Sequence, residues 1–151
     1  MNQNGDDISS HKICLIVANA YGILTGKEVE RIVGPDVHQV LLAKEFIKHD
    51  LKVTIITLDG EESTEFIDDM EIIKIREKAH RFKTLNKLSK LIDIWKAMRK
   101  ADANIYFHAG GMAGVSLLCM LMRKKYIYEI ASNALVDRGS IAKDVKEYSR
   151  S

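Results

Sequence analysis

The chain is short of the residues that break or staple a fold. It carries a single proline and nine glycines in 151 residues, too few for a collagen-like, linker-dominated or turn-rich all-β protein. It has only two cysteines, Cys14 and Cys119, both in apolar surroundings and neither in a CxxC pair. That excludes a disulfide framework or a thiolate metal site and makes both expected core thiols in the reduced state. Long hydrophobic runs are missing too: the stretch from Val115 to Met122, broken only by Ser116, falls well short of the roughly 20 residues that span a bilayer. The first ten residues are polar and acidic, without the basic-then-apolar layout of a secretory signal, so a cytoplasmic protein is expected. Neither sign of charge dominates, and a net charge of +2 suggests no nucleic-acid partner.

What remains is ordinary globular material. With 46% hydrophobic and 29% charged residues the chain is too apolar for disorder and long enough for one core. No internal repeat is evident. The charge is uneven, however. From Lys74 to Lys100 ten basic residues face only Glu77 and Asp93, a net of +8 in a chain of +2, so the rest carries −6. Two readings fit: a solvated helix face, or weak contact with an anionic membrane surface or a phosphorylated acceptor.

Lys12 to Ala18 (KICLIVA) is a continuous β-branched and apolar run, as in a strand buried on both faces of a parallel sheet. Asn19 to Gly34 reads as a long Gly-containing connection. Pro35 suits a first helical turn, and Val37, Val40, Leu41, Lys44 and Ile47 keep helical spacing to His49. Leu51 to Leu58 predicts a second buried strand closed by Asp59-Gly60. Glu61 to Asp69 is expected to form a single helical turn, and Met70 to Ile75 a short third strand.

Leu85, Leu88, Leu91, Ile92, Trp95 and Met98 form one apolar stripe on a helix from about Thr84 to Ala101, with Thr84 as N-cap and the stripe assigned to the sheet. Ala103 to His108 is a fourth strand, broken by Ala109-Gly110-Gly111. Met112 to Met122 lacks any polar face and is expected to be a buried helix. Tyr126 to Ala131 is a fifth strand, and Ser140 to Ser151 is polar with helical propensity. This order predicts an open, mainly parallel, Rossmann-like α/β sheet with helices on both faces. Ligands of such sheets bind beyond the carboxyl ends of strands. That rule selects the connection ending at Gly34 and the turn from His108 to Gly111.

Familiar motifs fail at both places. Gly22-Ile-Leu-Thr-Gly-Lys-Glu28 has three residues between its glycines where a P-loop needs four, and Glu28 replaces the Ser or Thr that would hold magnesium. There is no GxGxxG after the first strand and no GxSxG elbow. The five histidines, at 11, 38, 49, 80 and 108, show no metal-binding pattern, so no metal or cofactor is expected. Gly34-Pro35-Asp36 opens a helix, where free N–H groups attract phosphate, although plain capping explains the same residues. His108 at a strand end could orient or protonate a ligand, or simply be a half-buried core histidine.

VGPDVHQVLLAKEFIKHDLKVTIITLD, residues 33–59, resembles the N-terminal half of the family-four retaining glycosyltransferases, with Val33 and Asp36 where that pattern has Gly and Glu. KADANIYFHAGG and KKYIYEIASNALVD resemble later segments of the same half, so that the likeness covers about Lys12 to Tyr148. The resemblance implies the GT-B architecture, two Rossmann-like domains facing a cleft. It implies that residues 1–11 are a polar tail and 12–151 an acceptor-side domain, incomplete at its C-terminus. Gly34, Pro35 and Asp36 would approach the donor diphosphate, and His108, with Gly110 beside it, would line the cleft near the transferred sugar as the catalytic residue. The nucleotide sugar is then a substrate of the complete enzyme, and this half is expected to be inactive alone. A separately encoded C-terminal domain would make it one subunit of a split enzyme. A non-catalytic Rossmann-like binding module is the alternative.

Overall fold

The computed structural model describes residues 11–27, 34–58, 61–76, 83–109 and 113–129. Within them the elements are β1 (Lys12–Ile16), α1 (Ala20–Thr25), α2 (Gly34–Lys48), β2 (Lys52–Thr57), β3 (Ser63–Ile67), β4 (Met70–Lys74), α3 (Lys83–Ala101), β5 (Ile105–Ala109), α4 (Ala113–Leu121) and β6 (Lys125–Glu129). One six-stranded sheet runs in the order β3-β4-β2-β1-β5-β6. Every neighbouring pair is parallel except the antiparallel β3–β4 hairpin.

The apolar runs became strands because period-two alternation lets one strand feed two cores. Cys14 and Ile16 of β1 point to one face, with Ile56, Ile73, Tyr106, Val115 and Cys119. Leu15 points to the other, with Val40, Ala43, Val53, Ile55 and Ile72. α3 and α4 cover the first face, and α1 and α2 the second. Both cysteines lie in the first core as free thiols. Burial pushes the Cys14 thiol far above the ordinary thiol range and the Cys119 thiol up to about 11, so neither ionises readily.

Three expectations change. Residues 61–69 hold β3 and not a helical turn: Ser63 to Ile67 pair with Lys74 to Met70. Their link is the two-residue turn Asp68-Asp69, with φ of 48° and 63°, the positive pair that a type I′ hairpin requires. The connection after β1 contains the short helix α1, ended by Gly26 at φ 69°. Thr84 lies inside α3 and therefore cannot be its N-cap. The pieces 28–33, 59–60, 77–82, 110–112 and 130–151 lie outside the described residues, and with them Gly110, the Asp59-Gly60 turn and the expected helix at 140–151.

The burial of α3 and α4 also differs. Ile94, Ala97, Met98 and Ala101 meet the sheet, while Leu85, Leu88 (56% exposed), Ile92 and Trp95 (37%) face outward. Two small alanines let the helix approach the strands closely, which decides the buried side. Length matters as well: nineteen residues rise about 28 Å as helix, whereas a five-residue strand covers about 17 Å. The C-terminal end of α3 is fixed by Tyr106, whose buried hydroxyl donates to the Met98 carbonyl at 2.7 Å. Burial pushes that phenol up to about 12. Leu91 packs on Gly114 of α4, where an added Cβ would sit 2.3 Å from a Leu91 methyl. α4 buries Val115 and Cys119 but leaves Leu117, Met120 and Leu121 exposed, so it is buried on one side only.

Helix ends use the left-handed region at Gly26, Asp50, Asp102 and Arg123. At α4, Arg123 N–H donates to Met120 O and Lys124 N–H to Cys119 O, the paired bonds of a Schellman cap. Positive φ costs a residue with a Cβ about 1 kcal/mol. Gly26→Ala is therefore expected to lower unfolding free energy by about 1 kcal/mol, since nothing lies within 4 Å of the added carbon and only backbone strain acts. Arg123→Gly should raise it by up to about the same amount. Urea unfolding of the two variants checks both signs.

Candidate functional site

The chain leaves β1 through α2 to reach β2 on one side, while β5 occupies the other side. The switch point of the sheet is thus between the carboxyl ends of β1 and β5, where open α/β sheets bind ligands. The exit of β1 is held rigidly. Leu58 N–H and the Thr57 hydroxyl both donate to the Ala18 carbonyl, at 3.1 and 3.0 Å. Asn19 follows, and its Nδ2 donates to Asp36 Oδ2 at 2.7 Å, joining the end of β1 to the first turn of α2.

Gly34 begins α2, is exposed and has no positive φ, and a Cβ added there would meet nothing within 4 Å. Among the described residues nothing crowds the side of the helix N-terminus that a Cβ at Gly34 would face. Pro35 sits half-buried in the first turn, where its missing N–H costs nothing. Asp36 is committed to Asn19 and also faces the positive end of the helix dipole, so the geometry gives it a positioning role.

Two further residues of α2 were not signalled by the sequence. His38 Nδ1 lies 3.0 Å from Glu129 Oε1 at the end of β6. Gln39 is fully buried, and neither its amide nitrogen nor its oxygen has a hydrogen-bond partner. Among the described residues, the buried side-chain polar atoms left unpaired belong to Gln39, Glu129 (Oε2) and His108 (Nδ1). Each such atom costs on the order of 1–3 kcal/mol. All three residues come from the carboxyl edge of the sheet or the first two turns of α2. Nearby on the same face, Tyr21 of α1 stands between two cations, Lys74 Nζ 3.8 Å and Lys27 Nζ 5.0 Å from its ring centre. Only the parallel register brings Lys74 to Tyr21, so no spacing in the sequence marks the pair.

His108 ends up on the opposite face from α2. It pairs in register with Ile16 of β1 and Tyr128 of β6, and its Nε2 lies 3.1 Å from Ser116 Oγ on α4. The ring packs against Tyr126 and Tyr128, with centroids 6.3 and 5.1 Å away. It is fully buried, and burial holds its pKa below the ordinary histidine range. The structure thus unites Gly34, Pro35 and Asp36 at the β1 exit, and puts the His108 ring behind the strand that separates them. Among the described residues no group of three His, Cys, Asp or Glu side chains could hold a metal ion.

No protein-family model matches the chain and no curated protein is recognisably similar in sequence. Solved structures resemble it in fold. MurG from Acinetobacter baumannii superposes with a TM-score of 0.51 and 11% identity, covering 85% of this chain and 38% of MurG. The C-terminal domain of a hydrogenase from Pyrococcus furiosus gives 0.51 and 13%, covering 80% of this chain and 92% of that domain. A glycosyltransferase from Rickettsia africae ESF-5 gives 0.46 and 16%, over 78% of this chain and 29% of that one. The chain therefore spans about a third of the first and last of these proteins. The fold is an open, mainly parallel Rossmann-like domain that fits half of a GT-B architecture. The hydrogenase domain has a comparable fold, so the fold by itself selects no reaction.

The unfolded chain protonates an ordinary histidine at about pH 6.5, while folded His108 resists the proton. Stability from this group is complete above that pH and declines as the pH falls below it, because acid favours the state that binds more protons. His108→Gln is expected to flatten that part of the stability profile, measured by urea unfolding on either side of about pH 6.5. An unchanged slope would show that His108 titrates normally.

Proposed function

We propose that the chain is the acceptor-side domain of a family-four-like retaining glycosyltransferase that moves a sugar from a nucleotide-sugar donor to an acceptor. A second Rossmann-like domain, in the same chain or a separate one, supplies most of the donor site. The observation that carries this reading is the exposed α2 N-terminus at the β1/β5 switch point, with Gln39 and Glu129 on the same face holding buried polar atoms that have no partner among the described residues. Gly34, Pro35 and the free N–H groups behind them face the donor diphosphate. Asp36 holds that turn through Asn19. A role for His108 near the transferred sugar requires its buried ring to act from under α4, and Gly110 follows it in the chain outside the described residues. No cofactor or metal enters the reaction. A non-catalytic Rossmann-like binding module is the second reading, since the fold by itself selects no reaction.

Residues 1–151 alone are expected to neither hydrolyse nor transfer sugar from UDP-, GDP- or TDP-linked donors, because half of the donor site is missing. Turnover by the isolated chain would overturn the division of labour. UDP and pyrophosphate are expected to shift the amide resonances of Gly34, Asp36 and Val37 with dissociation constants on the order of 1 mM. Gly34→Val should abolish those shifts with little loss of thermal stability, since a Cβ there meets no described atom within 4 Å. Equal loss of stability and binding would leave only capping. Shifts with neither nucleotide nor pyrophosphate would favour the binding module.

A further inference from the structure

The exposed side of α3 is apolar and cationic together. Leu85, Leu88, Ile92 and Trp95 recur at intervals of three, four and three, so they share one meridian, opposite the buried Ile94, Ala97, Met98 and Ala101. Four large apolar groups aligned on the solvent side are unusual for a helix that already has a buried face. α4, on the same face of the sheet and in contact with α3 through Leu91 and Gly114, continues the surface with Leu117, Met120 and Leu121, the last 72% exposed.

Charge decides what fits this surface. α3 bears six cations against one carboxylate, Asp93. Lys96 and Arg99 flank the apolar meridian, and the Arg99 guanidinium lies 5.2 Å over the Trp95 ring. Both helices run toward the starts of β5 and β6, so Arg99 and Lys100 gather at the same edge of the sheet as Arg123 and Lys125 beyond α4. An apolar stripe with leucine, isoleucine and tryptophan, rimmed by long basic side chains whose stems can lie along it, is the pattern of a helix that lies in a membrane interface. Among the described residues no helix is long and apolar enough to cross a membrane.

We propose that the outer face of α3, extended by α4, docks on an anionic lipid bilayer, with Leu85, Leu88, Ile92 and Trp95 entering the interface and the cations at the headgroups. The contact is apolar as well as electrostatic, because among the described residues nothing covers the stripe that the sequence assigned to the sheet. The proposal does not rest on the glycosyltransferase reading.

The only tryptophan of the chain lies on this face, which makes its fluorescence a direct probe. Vesicles with equal parts of zwitterionic and anionic phospholipid are expected to bind the full chain about tenfold better than purely zwitterionic ones. Trp95 emission should shift to the blue and be quenched by brominated acyl chains. At about 1 M salt, where the Debye length is about 3 Å, binding should weaken while the lipid-bound fraction keeps its shift. Leu88→Ser with Ile92→Ser should abolish the shift, and Lys96→Glu with Arg99→Glu the preference for anionic lipid. Thermal unfolding of both variants should match the parent, since these side chains are exposed. Gly34→Val should leave vesicle binding unchanged, which separates this proposal from the nucleotide site. Equal binding to neutral and anionic vesicles, or binding without quenching, would overturn it. So would a concentration-dependent Trp95 shift without lipid, the mark of a second copy on this face.

Discussion

β1 is the element on which the rest of the molecule depends. It is hydrogen-bonded on both edges, to β2 and β5, and from Cys14 to Ile16 it is buried on both faces. A strand in that position must be covered twice, so the chain has to place helices above and below it. The connection through α2 moves the chain to one side of β1, and the connection through α3 returns it to the other. Because such crossovers are right-handed, the change of direction puts the two helices on opposite faces. The switch point at the β1 exit, the two cores and the outward face of α3 all follow from that single geometry.

The sequence disclosed the strands more readily than the faces. KICLIVA, VTIIT and EIIKI are short, rich in Ile and Val and mostly apolar at successive positions, as doubly buried strands are. Pro35 marked the start of α2 correctly because its fixed φ and missing N–H suit one position in a helix. The β3–β4 hairpin was hidden because Glu61, Glu62 and Glu65 resemble a helical first turn, and because Asp68-Asp69 replaces the usual Asn-Gly. α1 has six residues, too few for any periodicity to emerge. α3 carries two stripes, and the bulkier one drew the assignment to the sheet. Its small stripe won because Ala97 and Ala101 permit close approach, a property of fit that hydrophobicity alone does not encode.

The site was legible only in its backbone. Strand-end position located the Gly34 turn and His108, since the carboxyl-edge rule depends on topology and topology was readable. It could not say that His108 and α2 lie on opposite faces, because a side chain's face depends on strand register: a shift of one residue reverses it. Nor could it find the His38–Glu129 contact or the Tyr21–Lys74 pair, whose members are far apart in sequence and meet only through sheet order. Gln39 was invisible for another reason. A glutamine on an amphipathic helix is expected at the surface, and its burial without a partner appears only in three dimensions.

Charge at the β1 exit bears on how the proposed site would hold a diphosphate. The N-terminus of α2 offers roughly half a positive charge, and Asp36 in its first turn more than cancels that. Glu129, against His38, adds a second carboxylate to the edge. Among the described residues two cations on this face stand over Tyr21, Lys27 and Lys74, and Lys74 is already engaged by Glu65, whose hydrogen bond holds the ammonium above the ordinary lysine range. Lys27 alone is not enough to offset a diphosphate together with two carboxylates. Under the proposed reading backbone N–H groups orient phosphate oxygens here, and the positive charge needed to hold a nucleotide tightly would come from outside the described residues. A second domain closing over the same edge can supply that charge, which is the physical ground for reading this one as an orienting half and for the weak affinity expected of it alone.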